Sequence, residues 1–131
     1  MRRYFLWLFV ALTVAFAPAP LPRADRRPTF NGFSEIEGHW ESGGTKLHIT
    51  PNRFTHSADC YYEMIIDTRV RPYTFDLRGL GRSCAGADFT GIYKVQNGDL
   101  ILSYNAGRGS RPTSFDGPGK GYVQVYKRVG R

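Results

Sequence analysis

The sequence predicts an all-β domain, a small antiparallel up-and-down β-barrel of about eight strands. From residue 36 onward the chain consists of short segments in which apolar and polar residues alternate with period two. Turn signals separate these segments, and no stretch has the apolar spacing of a helix. A meandering sheet that closes on itself leaves no exposed edge strand, so a closed barrel is the expected arrangement.

Two tight turns define the first three strands. Gly43-Gly44 forms a two-residue turn between strands 38–42 and 45–50, because glycine readily adopts the positive φ that such turns need. Pro51-Asn52 makes the next turn, before a third strand over 53–57. The expected pairs are Trp40 with Leu47, Glu41 with Lys46, His39 with His48, and Ile49 with Phe54.

Five further strands follow, over 60–67, 73–77, 89–95, 99–104 and 121–128. The fourth carries Tyr62, Met64 and Ile66 at period two, and the fifth carries Tyr73, Phe75 and Leu77. Asn97-Gly98 is a strong hairpin signal. It sets Val95 against Leu100 and Tyr93 against Leu102 on one face of the sheet.

Length and charge limit the function classes. The chain has 131 residues, enough for one domain, and a formal charge of +7. Without residues 1–24 it holds 15 basic and 11 acidic residues, or +4. The basic residues are scattered, whereas a nucleic-acid binder would cluster them on one face. No nucleic-acid partner is therefore expected.

Residues 1–24 have the pattern of a signal peptide. Arg2 and Arg3 precede an apolar run over 4–17, and Ala15-Phe16-Ala17 offers small residues for cleavage. The run is shorter than the ~20 residues of a permanent span, so no stable membrane span is expected unless the signal stays uncleaved. Because Pro18 would impede cleavage, an uncleaved signal anchor is an alternative. The sequence is compatible with both the general and the twin-arginine export routes. We expect an exported protein, periplasmic or extracellular, with a linker containing proline and arginine over 25–35.

Cys60 and Cys84 are the two cysteines of the chain. In an exported protein such a pair is interpreted as a disulfide before a metal site or a nucleophile. A catalytic cysteine would need a basic neighbourhood with a histidine, and neither position has one nearby in the sequence. The sequence therefore predicts a disulfide between them.

Gly38-His39-Trp40, at the start of the first strand, resembles the Gly-x-Trp signature of lipocalins. In that superfamily the tryptophan closes one end of the barrel, and an arginine of the last strand packs over it. The resemblance implies that Trp40 and Arg128 have these roles here, with Arg111 as the alternative arginine. A guanidinium on an indole face contributes roughly 0.5–2 kcal/mol.

A longer pattern continues through the chain at Asp67, Pro72, Asp76, Gly91-Ile92-Tyr93, Asn97-Gly98-Asp99-Leu100, Arg111-Pro112-Thr113-Ser114-Phe115 and Lys127-Arg128. This pattern resembles a family of uncharacterised lipocalin-like (calycin-type) domains that is abundant in planctomycete bacteria. It covers about residues 36 to 128, and the barrel domain is accordingly placed at 36–131. The chain departs from the family pattern in its short first hairpin and its cysteine pair. Because the family has no established activity, the resemblance implies a fold and not a reaction.

The leading hypothesis is a non-catalytic extracytoplasmic barrel that binds a small apolar or amphipathic ligand. It depends on the lipocalin resemblance, which is an analogy of fold. The alternative is a solid barrel that serves as a structural or protein-interaction module, although no protein partner can be named. A lumen cavity of about 300 Å³ or more would favour the first. The expected pocket residues are Phe54, His56, Tyr62, Met64, Phe75, Tyr93 and Leu102.

The histidine pair of the first hairpin is the candidate for a metal site. His39 and His48 face each other across the first hairpin and could hold Cu²⁺ or Zn²⁺ loosely, but no third ligand is evident. A solvent-facing pair is the preferred interpretation, with no metal and no cofactor expected.

Asp67 and Asp76 are predicted at opposite ends of a hairpin, too far apart for joint acid–base catalysis. Arg111 could clamp an anion, but a structural role is favoured, with Phe115 tucked under the barrel. We therefore expect no enzymatic activity.

Overall fold

The computed structural model describes residues 33–131, which form one closed sheet of eight strands in sequence order. Each strand is antiparallel to its neighbours, and the last pairs with the first. The predicted fold class is confirmed. The elements are helix α1 (Phe33–Ile36) and strands β1 (Gly38–Ser42), β2 (Thr45–Thr50), β3 (Arg53–Thr55), β4 (Tyr61–Asp67), β5 (Tyr73–Gly79), β6 (Asp88–Gln96), β7 (Asp99–Ala106) and β8 (Tyr122–Gly130). The predicted signal segment, and the linker as far as residue 32, lie outside the described residues.

The predicted registers of three hairpins are confirmed. Trp40 pairs with Leu47 across the first hairpin, and Ile49 pairs with Phe54 across the second. Tyr93 pairs with Leu102 across the Asn97-Gly98 turn. Gly43, Gly44, Asn97 and Gly98 all have positive φ, between 53° and 83°, as tight two-residue turns require. Local turn chemistry therefore fixes which side chains face the lumen.

The ends of several strands differ from the prediction. β3 stops at Thr55 because residues 56–60 form a turn of their own, in which the amide of His56 donates to the carbonyl of Cys60 at 2.9 Å. The last three residues of the predicted linker belong to α1. A helix of four residues is too short to leave a periodic signal in the sequence. Residues 33–131 contain no helix that could span a lipid bilayer.

Trp40 closes one end of the barrel. Its side chain is fully buried, and Nε1 donates a hydrogen bond of 2.8 Å to the carbonyl of Ile36 in α1. The guanidinium of Arg128 lies 4.2 Å from the centre of the indole ring and donates to the carbonyls of Glu35 and Glu37, each at 2.7 Å. Trp40 and Arg128 therefore have the arrangement that the lipocalin resemblance implied.

The glycine of the Gly-x-Trp signature has a steric reason. Gly38 has a φ of 127°, which other residues rarely adopt. A Cβ atom at Gly38 would lie 2.6 Å from the carbonyl oxygen of Gly130 and 3.0 Å from Nη1 of Arg128. Glycine at this position therefore lets the first and last strands approach closely beside the indole.

Arg111, the alternative arginine for this end, is elsewhere, and that assignment is corrected. Its guanidinium donates to the carbonyls of Phe75 and Gly91 at 3.0 and 2.9 Å, and to the carboxylate of Asp76 at 3.0 Å. It thereby fastens residues 107–121, which we call the strap, to β5 and β6. The expected structural role of Arg111 holds, but Phe115 does not tuck under the barrel: the ammonium of Lys94, on β6, lies 4.6 Å from its ring centre.

Side chains fill the lumen between Trp40 and the middle of the barrel. Met64, Phe75 and Tyr93 are each at most 1% exposed. Gly91 makes room for this packing, because a Cβ atom there would lie 2.6 Å from the Phe75 ring. The closed half of the barrel is therefore a packed core.

The predicted disulfide between Cys60 and Cys84 is confirmed. It joins the 56–60 turn to the 80–87 loop, two connections at the end opposite Trp40. The same two segments also share backbone hydrogen bonds, including one of 2.9 Å from the amide of Ser83 to the carbonyl of Asp59. A disulfide is typical of proteins that reside in an oxidising compartment.

Replacing Arg128 with methionine should lower the free energy of unfolding by about 2 kcal/mol, because the variant loses the indole contact and two hydrogen bonds. Urea unfolding of the full chain measures this. Lys127→Met is the matched control: it removes an exposed ion pair with Asp99 and should cost less than about 1 kcal/mol. Equal losses in the two variants would contradict the role assigned to Arg128.

The double variant Cys60→Ser, Cys84→Ser should lose about 3 kcal/mol of stability, because the unfolded chain regains the entropy of a loop spanning 24 positions. Reduction of the wild-type protein should give the same loss in urea unfolding. A reduced wild type as stable as the oxidised protein would show that the shared backbone hydrogen bonds hold the two segments without the disulfide.

Candidate functional site

The end of the barrel opposite Trp40, which we call the mouth, is surrounded by four connections. Because the strands alternate in direction, residues 43–44, 56–60 and 80–87 lie at this end, and the strap begins and ends there. Helix α1 and the indole occupy the other end. A ligand that enters the lumen enclosed by β1 to β8 would therefore pass through the mouth.

A cavity of about 100 Å³ opens at the mouth. Apolar and polar groups share its wall: four of the nine lining side chains are purely apolar, and the other five carry a hydroxyl, imidazole or amide group. A cavity of mixed lining such as this is typical of a small-molecule site, although the volume is below the usual range. The lining residues are Phe54, His56, Tyr62, Leu77, Phe89, Leu102, Tyr104, Gln124 and Tyr126.

The structure divides the predicted pocket residues into two groups. Phe54, His56, Tyr62 and Leu102 line the mouth cavity. Met64, Phe75 and Tyr93 do not, and their assignment to the pocket is corrected: they point into the lumen but belong to the packed half. Period-two alternation gives the direction of a side chain, whereas the depth at which packing stops depends on all eight strands.

Five residues of the cavity were missing from the predicted set. Leu77, Phe89 and Tyr104 continue the inward alternation of β5, β6 and β7 towards the mouth, so the same pattern could have found them. Gln124 and Tyr126 are on β8 and pair with Leu102 and Leu100. No short turn precedes β8, so its register was not available from local turn chemistry.

Hydrogen bonds orient the polar groups around the cavity. The hydroxyl of Tyr104 donates to Oε1 of Gln124 at 3.2 Å. Nδ1 of His56 lies 3.3 Å from the carbonyl oxygen of Lys46, an acceptor, so Nδ1 donates this hydrogen bond, and in the tautomer that the bond requires Nε2 is an acceptor. The hydroxyl of Tyr62 lies 3.7 Å from Sγ of Cys60, which connects the cavity wall to the disulfide.

The tyrosines of the cavity stay uncharged at neutral pH. Burial raises the pKa of Tyr62, Tyr104 and Tyr126 above the usual 10.0. Neighbouring phenols raise the pKa of Tyr104 and Tyr126 further, since a second negative charge nearby is unfavourable. These residues therefore present neutral hydroxyls to the cavity.

Tyr93 has a buried hydroxyl in the packed half of the barrel. Within residues 33–131 this oxygen has no hydrogen-bond partner. Burial raises its pKa, and the charge of Glu35 adds to the effect. Tyr93 therefore contributes to the core mainly through its ring, which packs 6.3 Å from that of Phe75.

His39 and His48 lie on the outer face of the first hairpin, as predicted. Their rings stack with centres 4.0 Å apart and planes 6° from parallel. An ion bound by both rings should lie in both ring planes, and parallel planes do not meet, so chelation would require the rings to rotate. Residues 33–131 contain no group of three or more His, Cys, Asp or Glu side chains arranged to hold a metal ion.

The two carboxylates considered for catalysis each have a basic partner. Asp67 lies 3.0 Å from Arg69, whose hydrogen bonds lower the pKa of the carboxyl. Asp76 lies 3.0 Å from Arg111 and accepts a hydrogen bond of 2.8 Å from Thr90. Its predicted place at a hairpin end is wrong, because Asp76 is inside β5, opposite Ile65. Arg111 on the strap, distant in sequence, accounts for a carboxylate in this position.

Comparison with known proteins gives no match to this chain among family models, curated proteins or solved structures. The geometry of the mouth cavity is therefore the starting point for function.

Alkaline pH should destabilise the protein through its buried tyrosines. Their pKa values are raised in the folded state, so above about pH 10 the unfolded chain releases protons that the native state retains. The contribution of these tyrosines to the free energy of unfolding is fully present below that pH. It falls as pH rises, by up to about 1.4 kcal/mol per pH unit for each such tyrosine. Urea unfolding over this range measures the slope, and Tyr93→Phe should reduce it. An unchanged slope in that variant would contradict the assignment.

Proposed function

We propose that this protein is a non-catalytic binding module that works outside the cytoplasm and holds a small amphipathic ligand in the mouth cavity. The observation that carries the proposal is the cavity itself, in which apolar rings and leucine side chains share the wall with polar side-chain ends. Such a lining suits a molecule with one apolar and one polar part.

The volume of the cavity limits the size of the ligand. Drug-sized ligands occupy sites of about 300–1,000 Å³, whereas the mouth cavity measures about 100 Å³. An engineered apolar cavity of about 150 Å³ binds benzene. The proposed ligand is therefore no larger than one ring or a short chain, and part of it projects into solvent.

Two further points support the location and ancestry in this proposal. The disulfide agrees with export to an oxidising compartment, to which the signal-like residues 1–24 also point. The Trp40–Arg128 contact agrees with a relationship to lipocalin-like domains. We propose both as part of the same function: an exported barrel, closed at one end and open to a ligand at the other.

The packed lumen favours a second candidate, a solid barrel that acts as a structural or protein-interaction module. Met64, Phe75 and Tyr93 leave little space below the mouth. Large apolar side chains are also exposed outside the lumen, among them Ile65 and Val129, each 60% exposed. A protein that binds through its outer surface would have these features as well.

Blocking the mouth separates the two candidates. Gln124→Trp should abolish binding of single-ring probes such as toluene and p-cresol, because the indole would occupy the half-buried rim of the cavity. Val125→Trp is the matched control, since Val125 is the next residue of β8 and is 41% exposed on the outer face. Binding is followed by chemical-shift changes of Leu102 and Tyr104, which line the cavity and are present in all three proteins, in nuclear magnetic resonance spectra.

Three outcomes decide between the candidates. Probe binding by the wild type and Val125→Trp, but not by Gln124→Trp, would support a mouth site. Binding that survives in Gln124→Trp would place the site elsewhere. No binding of any single-ring probe by the wild type would reject the ligand-binding proposal in favour of the solid barrel.

A further inference from the structure

We infer that the mouth cavity selects an uncharged aromatic molecule that carries a hydroxyl group, that is, a small phenol. The inference rests on the proposed binding function and specifies the chemical class of the ligand. Three properties of the cavity lead to it: the charge of its lining, the arrangement of its hydrogen-bonding groups and the orientation of its aromatic rings.

The lining disfavours a charged ligand. Among the described residues that line the cavity there is no Asp, Glu, Lys or Arg. Transferring an ion from water into such a place has a large cost unless an opposite charge compensates for it. A carboxylate or an ammonium group would therefore bind with its charge outside the mouth, or not bind.

The hydrogen-bonding groups suit a hydroxyl. Tyr126 is the deepest polar residue of β8 in the lining, because it pairs with Leu100 while Gln124 pairs with Leu102, one inward position nearer the mouth. Its hydroxyl can donate to a ligand oxygen. Nε2 of His56 can accept a hydrogen in return, since Nδ1 is used towards Lys46. A hydroxyl group both donates and accepts, whereas a carbonyl or ether oxygen could use only one of these groups.

The aromatic residues around the cavity favour an aromatic ring over an aliphatic chain. Successive rings meet edge to face: Phe54 with Tyr62 at 6.0 Å, Tyr62 with Phe89 at 5.9 Å, and Phe89 with Tyr104 at 5.5 Å between centres. A flat ring between them could continue this edge-to-face packing, in which the positive edge of one ring meets the negative face of the next. An aliphatic chain of equal size lacks that electrostatic contribution.

The test compares three single-ring probes on the full chain with its disulfide intact: p-cresol, toluene and benzoate. We expect p-cresol to bind about tenfold more tightly than toluene, from the gain of one or two hydrogen bonds. Benzoate should bind more weakly than p-cresol by at least the same factor. Dissociation constants are measured by titration in nuclear magnetic resonance spectra.

Variants test which hydroxyl of the protein binds the ligand. Tyr126→Phe keeps the ring and removes only the oxygen, so the affinity for p-cresol should fall about tenfold while that for toluene stays the same. Toluene binding also reports that the variant is folded with an intact cavity. Tyr61→Phe is the matched control, because Tyr61 is the neighbour of Tyr62 on β4, stacks under Arg53 and does not line the cavity.

The possible failures are distinguishable. If toluene binds as tightly as p-cresol, the cavity is an unselective apolar site, and the phenol inference fails while the proposed function stands. If benzoate binds most tightly, the ligand class is an anion and the inference again fails alone. An equal loss of p-cresol affinity in Tyr126→Phe and Tyr61→Phe would reject the role given to Tyr126. If no probe binds, both the inference and the proposed function are rejected.

Discussion

The contact between the guanidinium of Arg128 and the indole of Trp40 connects the last strand of the barrel to the first. β1 and β8 are the first and last strands, and their pairing closes the sheet. Their register shifts between His39 and Trp40, so the ladder is irregular at the point where closure takes place. There Arg128 covers the indole and donates to two carbonyls that precede β1. The same side chain therefore stabilises both the closure of the cylinder and the covering of its end.

A covered end makes the barrel asymmetric along its axis. Below the mouth the lumen is filled, and the missing side chain of Gly91 gives the Phe75 ring its space. At the mouth three of the four connections are longer than a tight turn, and two of these are linked by the disulfide. The rings there meet at their edges and leave about 100 Å³ between them. Capping of one end and stapling of the other thus localise any lumen site to a shallow cavity.

In the strap, a side chain that is a candidate ligand-binding group in the sequence instead stabilises the fold. Arg111 has the chemistry of an anion clamp, but its donors are directed at Asp76 and at two backbone carbonyls. The outward-facing Ser103 is fully buried, and its hydroxyl accepts a hydrogen bond from the amide of Gly121 at 2.9 Å. These contacts hold residues 107–121 on the outer face of the sheet.

How much of the candidate site could be predicted differs from strand to strand. Phe54, Tyr62 and Leu102 followed from alternation in β3, β4 and β7, and Leu77 could have been found in the same way. Gln124 and Tyr126 could not, because β8 follows a strap of fifteen residues whose length does not fix a register. Met64 has the same inward parity as Tyr62 but is buried in the core. Parity is a local property, whereas depth along the barrel is not.

The amino-acid sequence was sufficient to predict the number and order of the strands, the registers of three hairpins and the pairing of the two cysteines. Each of these depends on residues close together in the chain, on glycines and asparagine with positive φ, or on there being only one cysteine pair to make. The three-dimensional structure was needed to find the partner of Arg111, the helix under Trp40, the register of β8 and the volume left in the lumen. Those features arise where segments far apart in sequence meet, and a cavity is the small space that remains after every such contact is made.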